Sequence, residues 1–399
     1  MTSKRLIFPF LALGLAVLAC SLQTPQPATL PPSGVTPAVT SEPVTEEPLV
    51  LNELLPSGMM LAEKDGYVTF LFYDAAGSIL GTREALSLPF ASGEDVFPIS
   101  GSSGGLPILV YYTSTNGYRL LRNDGSGEVL LATFSADIPQ AVMTGVPARP
   151  VLAYSTAQMV SNGTETALYV GAPETIASNQ YLLLIDDPVL PLHIVMDGDA
   201  PVGVWFTKIK SVGDFLFYPT YGLYHLDLAS KSVSEVAGSG DFIGLNLSPD
   251  ASWVAYRDRG TPAPFSLTVR QLSNGESHTF PLLPNSDQGA GDGVISPDNT
   301  HVAWMEGDGN YMGEMADFRS TLRFGLIDGT ALLDYPASSF DNVAGFSVGF
   351  IKPMGWLDNQ TVIVQVESIE WTQDTVLAVN LAGEIKFIGI GDFICFIYP

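Results

Sequence analysis

The sequence predicts an all-β fold in which one sheet-forming unit is repeated along the chain, behind an export signal and a polar tether. Three observations predict it. A Ser-Pro-Asp turn leading into an apolar strand recurs in the second half. Short alternating strands joined by Gly- or Asn-bearing turns recur from near residue 70 to near residue 390. No long amphipathic helical pattern interrupts them.

The elements follow in chain order. Lys4 and Arg5 precede an uncharged apolar run over 6–19, and Cys20 follows directly. A membrane-spanning helix needs about 20 apolar residues. This run is shorter and has the flanks of a signal-peptide core. Val17-Leu18-Ala19-Cys20 resembles the lipobox of bacterial lipoproteins, with small Ala19 at the cleavage position and Leu18 a less common choice. The resemblance implies that residues 1–19 are a lipoprotein signal peptide. It also implies diacylglycerol on the Cys20 sulfur and an acyl chain such as palmitate on the new amino terminus. One acyl chain binds a membrane marginally, whereas two or more hold it. The implied membrane anchor needs no transmembrane helix. It puts the chain in the cell envelope, lipid-anchored on the extracytoplasmic side of a bacterial membrane.

Residues 20–49 are rich in Pro and Thr, as in Thr24-Pro25-Gln26-Pro27 and Leu30-Pro31-Pro32, with almost no aromatic side chains. Such a composition buries too little apolar surface to offset its ordering entropy. It predicts a disordered tether that holds a folded domain, residues 50–399, clear of the lipid.

The chain has 399 residues and a formal net charge of -25, and loss of Lys4 and Arg5 on cleavage makes the chain still more acidic. A field of that sign repels phosphate backbones, which excludes nucleic acid as a partner. It attracts divalent cations or basic partners, beside the plainer role of keeping an exported chain soluble. With Cys20 acylated, Cys395 has no partner for a disulfide. Within Asp392-Phe393-Ile394-Cys395-Phe396-Ile397 it reads as a small buried hydrophobe. Stability must then come from the core, for which a folded part of about 350 residues is ample.

Leu247-Ser248-Pro249-Asp250-Ala251-Ser252-Trp253-Val254-Ala255-Tyr256 aligns with Ile295-Ser296-Pro297-Asp298-Asn299-Thr300-His301-Val302-Ala303-Trp304. A weaker copy covers 355–364. Pro fixes φ, Asp folds its carboxylate onto the following amides, and the apolar run suits a buried strand. In the repeat of TolB-like β-propellers, which these turns resemble, Gly usually follows Asp, where a left-handed conformation is easy; Asn299 tolerates that conformation and Ala251 disfavours it. Hairpin signals such as those over 223–233, 267–276 and 377–385 accompany the turns.

Four strands every 45 to 55 residues or so match the blade of a β-propeller. Counting hairpins gives seven four-stranded blades, near 50–90, 105–135, 147–185, 201–238, 243–283, 293–336 and 350–390, with six or eight also compatible. The tail over 393–398 reads as a further strand that pairs within the first blade and closes the ring, removing exposed edges. Two β-sandwiches are the competing architecture. The Ser-Pro-Asp turn with its Val-Ala-aromatic strand resembles the repeat of TolB-like β-propellers, which also builds the propeller of prolyl-oligopeptidase relatives. The resemblance is strong over 244–390 and weaker over 50–240.

Catalytic signatures are sparse. There is no Gly-x-Ser-x-Gly elbow, and no α/β module follows the repeats. His193, His225, His278 and His301 are scattered and read as structural. No His-x-x-x-His or Cys-x-x-Cys occurs, which argues against zinc. Acidic, Gly-bearing loops carry Asp287, Asp292, Glu306 and Asp308. They read first as solvated turns and second as calcium ligands, since calcium takes about six to eight oxygens from such loops. No other cofactor is implied.

Four loops exceed what their turns need: 284–293, 306–319, 337–353 and 367–374. In a propeller, loops between the second and third strands share a face with the blade-to-blade connections. These loops mix aromatic and acidic side chains, and Tyr311, Met312, Glu314, Phe318, Glu370 and Trp371 form the candidate binding face. The sequence favours a lipid-anchored binding or scaffold module without a catalytic site, with a protein or glycan partner. Two alternatives stay open. One is a carbohydrate-active enzyme with paired carboxylates about 5 to 10 Å apart in the central channel. The other is an accessory subunit of an envelope assembly, by fold analogy with TolB-like proteins.

Overall fold

The alternating runs form strands, and the turns between them set short antiparallel meanders. The computed structural model describes residues 58–397, except 63–67, 74–78, 85–95, 104–105, 114–117, 124–127, 135–136, 147–148, 162, 173–174, 186–187, 210–219, 260–263, 310–317 and 371. The predicted signal peptide, Cys20 and the tether lie outside the described residues.

β1 (Gly58–Ala62), β2 (Val68–Tyr73) and β3 (Ile79–Glu84) begin the first sheet. The second holds β4 (Val96–Ser103), β5 (Leu106–Thr113), β6 (Tyr118–Asn123) and β7 (Glu128–Phe134). The third holds β8 (Asp137–Val146), β9 (Arg149–Val160), β10 (Gly163–Gly171) and β11 (Gln180–Ile185). Next come β12 (Val189–Asp197), β13 (Ala200–Ile209), β14 (Thr220–Asp227) and β15 (Ser232–Glu235). β16 (Phe242–Leu247), β17 (Trp253–Asp258), β18 (Leu267–Gln271) and β19 (Ser277–Thr279) form the fifth group. The sixth is β20 (Gly289–Ile295), β21 (His301–Asp308), β22 (Arg319–Leu326) and β23 (Ala331–Pro336). A single short α-helix, α1 (Asp341–Ala344), precedes the seventh group among the described residues. That group is β24 (Val348–Trp356), β25 (Thr361–Ser368), β26 (Asp374–Asn380) and β27 (Ile385–Ile390).

The last strand, β28 (Asp392–Ile397), pairs antiparallel with β1, so the first sheet runs β28-β1-β2-β3. The predicted closing strand is thus present, with Met60 opposite Cys395 in the register. One backbone pairing, Tyr221 with Ile243, joins the fourth and fifth groups into an eight-stranded sheet. The leading strands touch in succession: β28 meets β4, β4 meets β8, β8 meets β12, β12 meets β16, β16 meets β20, and β20 meets β24. Each group therefore packs on its neighbours in chain order, as blades do in a β-propeller. Two stacked sandwiches would not give this succession.

The sequence windows for the second, third and fourth blades began too late. Their leading strands are β4, β8 and β12, which carry Pro98, Pro139 and Pro191. Pro cannot donate to a ladder, so such a segment looks like a connection in sequence. The structure pairs them nonetheless, with register shifts in each.

Apolar side chains fill the spaces between groups. Phe280, Ile295 and Trp304 pack between the fifth and sixth. Phe324, Ile351, Trp356 and Leu377 pack between the sixth and seventh. Met59 and Leu61 of β1 meet Ile363 and Val376 of the seventh group. Burying each such side chain fully is worth roughly 1.5 to 3 kcal/mol, so these contacts fix the order of the groups.

The repeated turns have one geometry. Ser248 Oγ donates to Asp250 Oδ1 at 2.6 Å, and Ser252 N donates to the same oxygen at 3.0 Å. Ser296 Oγ and Thr300 N do the same to Asp298 Oδ1 at 2.6 and 3.1 Å. Ala251 (φ 53°) and Asn299 (φ 56°) are both left-handed. Asn299 adds a bond between neighbouring groups: its Nδ2 donates to Asp250 Oδ2 at 2.7 Å.

Candidate functional site

The described parts of the four long loops lie at one end of the sixth and seventh groups. The pairings of Gly289 with Gly307 and of Asp308 with Arg319 set 284–293 beside the described ends of the next loop, 306–309 and 318–319. Those of Val348 with Ser368 and of Glu367 with Asp374 set 337–353 beside 367–374. Hydrogen bonds tie each pair. Gly309 N donates to Asp287 Oδ1 at 2.9 Å, and Ile369 N donates to Ser347 O at 3.1 Å. Ser320 links the two pairs: its Oγ donates to Gly349 O at 3.3 Å and accepts from Ile351 N at 2.7 Å. The result is one contiguous loop-bearing end on a rigid scaffold.

The predicted face residues divide. Tyr311, Met312, Glu314 and Trp371 lie outside the described residues. Glu370 is exposed. Phe318 requires a correction, because it is only 2 % exposed and packs with Met305 and Phe350 in a small apolar cluster. Its ring fills space between the sixth and seventh groups, which removes it from the binding face.

The acidic loop residues also divide. Asp287 accepts the Gly309 amide, and Asp308 is exposed at the end of β21. Asp292 is buried with φ 51°, in a bulge of β20. Glu306 requires the second correction. It is buried and ion-paired with Arg323, and it accepts from Leu283 N at 2.9 Å and Trp304 Nε1 at 3.2 Å. Those partners occupy the oxygens that calcium would need. Among the described residues, no group of three or more His, Cys, Asp or Glu side chains is placed to hold a metal ion.

His193, Trp205 and His225 stand in one cross-strand row on β12, β13 and β14. Burial pushes both imidazoles down, against the pull of Asp250 on His193 and of Asp227 on His225. His278 lies 3.3 Å from Glu276, and His301 opens β21 beside Thr300.

A cluster the sequence did not single out lies at the same end. Glu367 on β25 stands opposite Asp374 on β26, with Asp392 of β28 and Lys352 of β24 near it. Burial first, and then the Asp374 and Asp392 charges, push the Glu367 carboxyl up to about 7, against the pull of Lys352. The flanking of the hairpin by Glu367 and Asp374 was visible in the sequence. The approach of Asp392 depends on strand closure and was not.

Fold and loops together define an all-β propeller with one elaborated end. No family model and no curated protein matches the chain. Among solved structures, a puromycin-hydrolysing peptidase from Mycobacterium tuberculosis is similar, with a TM-score of 0.52 and 10% identity over 85% of this chain and 54% of that one. A structure from a study of two prolyl endopeptidases has a TM-score of 0.52 and 10% identity, covering 86% of this chain and 51% of that one. TolB from Acinetobacter baumannii has a TM-score of 0.38 and 13% identity, covering 82% and 80%. The chain spans about half the length of the two peptidase structures. At such identities the likeness to them concerns the fold alone.

Proposed function

We propose that the chain is a non-catalytic binding or scaffold module, lipid-anchored through Cys20 on the extracytoplasmic side of a bacterial membrane. Its working surface is the loop-bearing end of the sixth and seventh groups, and its partner is a protein or a glycan. The observation that carries this reading is the union of four over-long loops at one end, tied by Asp287, Ser320 and the Ile369–Ser347 bond. Loops held on a rigid scaffold are where recognition concentrates. The net charge of -25 favours a partner with a basic surface.

Two experiments test the two halves. Cys20→Ala is expected to abolish incorporation of labelled palmitate and to release the chain from the membrane fraction. Retention of label would end the anchor assignment. A photo-crosslinking amino acid at exposed Glu370 is expected to trap a defined species, whereas one at exposed Lys231 is not. Tyr311→Ala with Trp371→Ala is expected to abolish the Glu370 adduct. Equal adducts from both positions, or none, would overturn the binding face. Turnover on a glycan panel would favour the carbohydrate-active alternative instead.

A further inference from the structure

β28 is held on two sides. On one it completes the first sheet by pairing with β1. On the other it meets the seventh group through side chains. Gln365 Nε2 donates to Asp392 Oδ1 at 2.9 Å, and Gln365 Oε1 accepts from Phe393 N at 3.0 Å. Phe396 lies so close to Gly355 that a Cβ there would come within 2.5 Å of its ring. This seam is where the ring of sheets closes.

Glu367 lies two residues beyond Gln365, on the same face of β25. The charged groups facing it are Asp374 from β26, Asp392 from β28 and Lys352 from β24. β1, the other strand against β28, carries no charged residue, and Glu370 beyond the end of β25 is exposed. Of the charges that act on Glu367, two carboxylates stand against one ammonium. With Glu367 neutral, the cluster carries one net negative charge; with Glu367 ionised, it carries two.

We propose that this seam is a pH-sensitive clasp, in which the ring-closing strand β28 is held tightest while Glu367 carries a proton and loosens once it ionises. Opening the seam hydrates Glu367 and separates it from Asp392, which relieves two of the three causes that oppose its ionisation; Asp374, on β26, stays opposite it. The clasp stands whether or not the loop-bearing end binds a partner.

Hydrogen–deuterium exchange on the full chain tests it. Protection of β28, corrected for intrinsic exchange, is compared at pH 5.5 and pH 8.5, with β14 as reference. With the carboxyl at about 7 when closed and no lower than 4.5 when open, protection of β28 is expected to fall several-fold, up to roughly 30-fold, between the two conditions. β14 should change little. Glu367→Gln is expected to remove the fall. Asp392→Asn keeps an acceptor for Gln365 and is expected to move the fall to lower pH. Constant β28 protection in the wild type would overturn the proposal, as would a parallel fall in β14 or an undiminished fall in Glu367→Gln. Should Glu367→Gln fail to fold, an unshifted profile in Asp392→Asn overturns it.

Discussion

Replacing Arg323 with Met is expected to destabilise the protein by about 3 to 5 kcal/mol, because it strands a buried carboxylate. The Glu306 side chain is 1% exposed and that of Arg323 5%. Arg323 Nη1 donates to Glu306 and, at 2.7 Å, to Pro281 O, while its guanidinium lies 5.0 Å from the Trp304 ring. Asp334, also paired with Arg323, is 43% exposed, so water can replace that partner at little cost. Glu306 has no such recourse. Unfolding entropy near 60 °C is about 2.1 cal/mol/K per residue, or about 0.7 kcal/mol/K for the unit Leu51–Pro399. The melting temperature should therefore drop by about 4 to 7 °C in a circular dichroism melt. The decisive arm is the double variant Glu306→Gln with Arg323→Met. It removes the stranded charge and should recover at least half of the loss, a coupling that independent sites do not give. A drop under 1 °C in the single variant, or no recovery in the double, would refute the argument that the buried charge dominates.

Four further outcomes follow from the turns and the seam. Ala251→Gly relieves a left-handed alanine at about 1 to 2 kcal/mol and returns about 0.5 to 1 kcal/mol in chain entropy, so urea denaturation should read a gain near 0.5 kcal/mol. Asn299→Gly, which also loses the bond to Asp250, should instead lose about 1 kcal/mol. Burial opposes ionisation of Asp250 and Asp298, but hydrogen bonds from Ser248, Ser252 and Asn299 to the first, and from Ser296 and Thr300 to the second, hold both carboxyls below their ordinary 3.8. Their stabilisation is complete above that value and lost as pH falls through the lower folded values, so the double Asn variant should show a flatter acid limb in a stability–pH profile. Gly355→Ala places a methyl group against Phe396 at φ 149° and should cost about 1 to 3 kcal/mol, with loss of exchange protection concentrated in β28.

The sequence made the fold legible where side chains and turns speak locally. The Ser-Pro-Asp turns, the strands after them and the closing strand all lie where the pattern puts them. Ala251 was expected to resist its turn, yet it adopts the left-handed form, because Ser248, Asp250 and Ser252 bind the turn tightly enough to impose it. β4, β8 and β12 were missed because Pro98, Pro139 and Pro191 interrupt them and make each segment read as a connection. At the candidate site, loop length picked out segments that share one end, but composition could not tell a surface aromatic from a buried one, and Phe318 was misplaced for that reason. Glu306 looked like a loop acid, and only the register of β21 against β22 reveals its partner Arg323, 17 positions away. The Glu367 cluster joins residues from four strands, which no local pattern could announce.

The pairing of Gly58 with Ile397 carries a consequence for the order of events during synthesis. Three strands of the opening sheet leave the ribosome early and cannot finish their sheet until the final one is made. Long-range pairings of this kind slow folding, and an unfinished edge is exposed to wrong partners while it waits. The nascent chain therefore carries an open β1 edge until β28 has been made, and the first sheet waits on a partner from the far side of six other groups of strands.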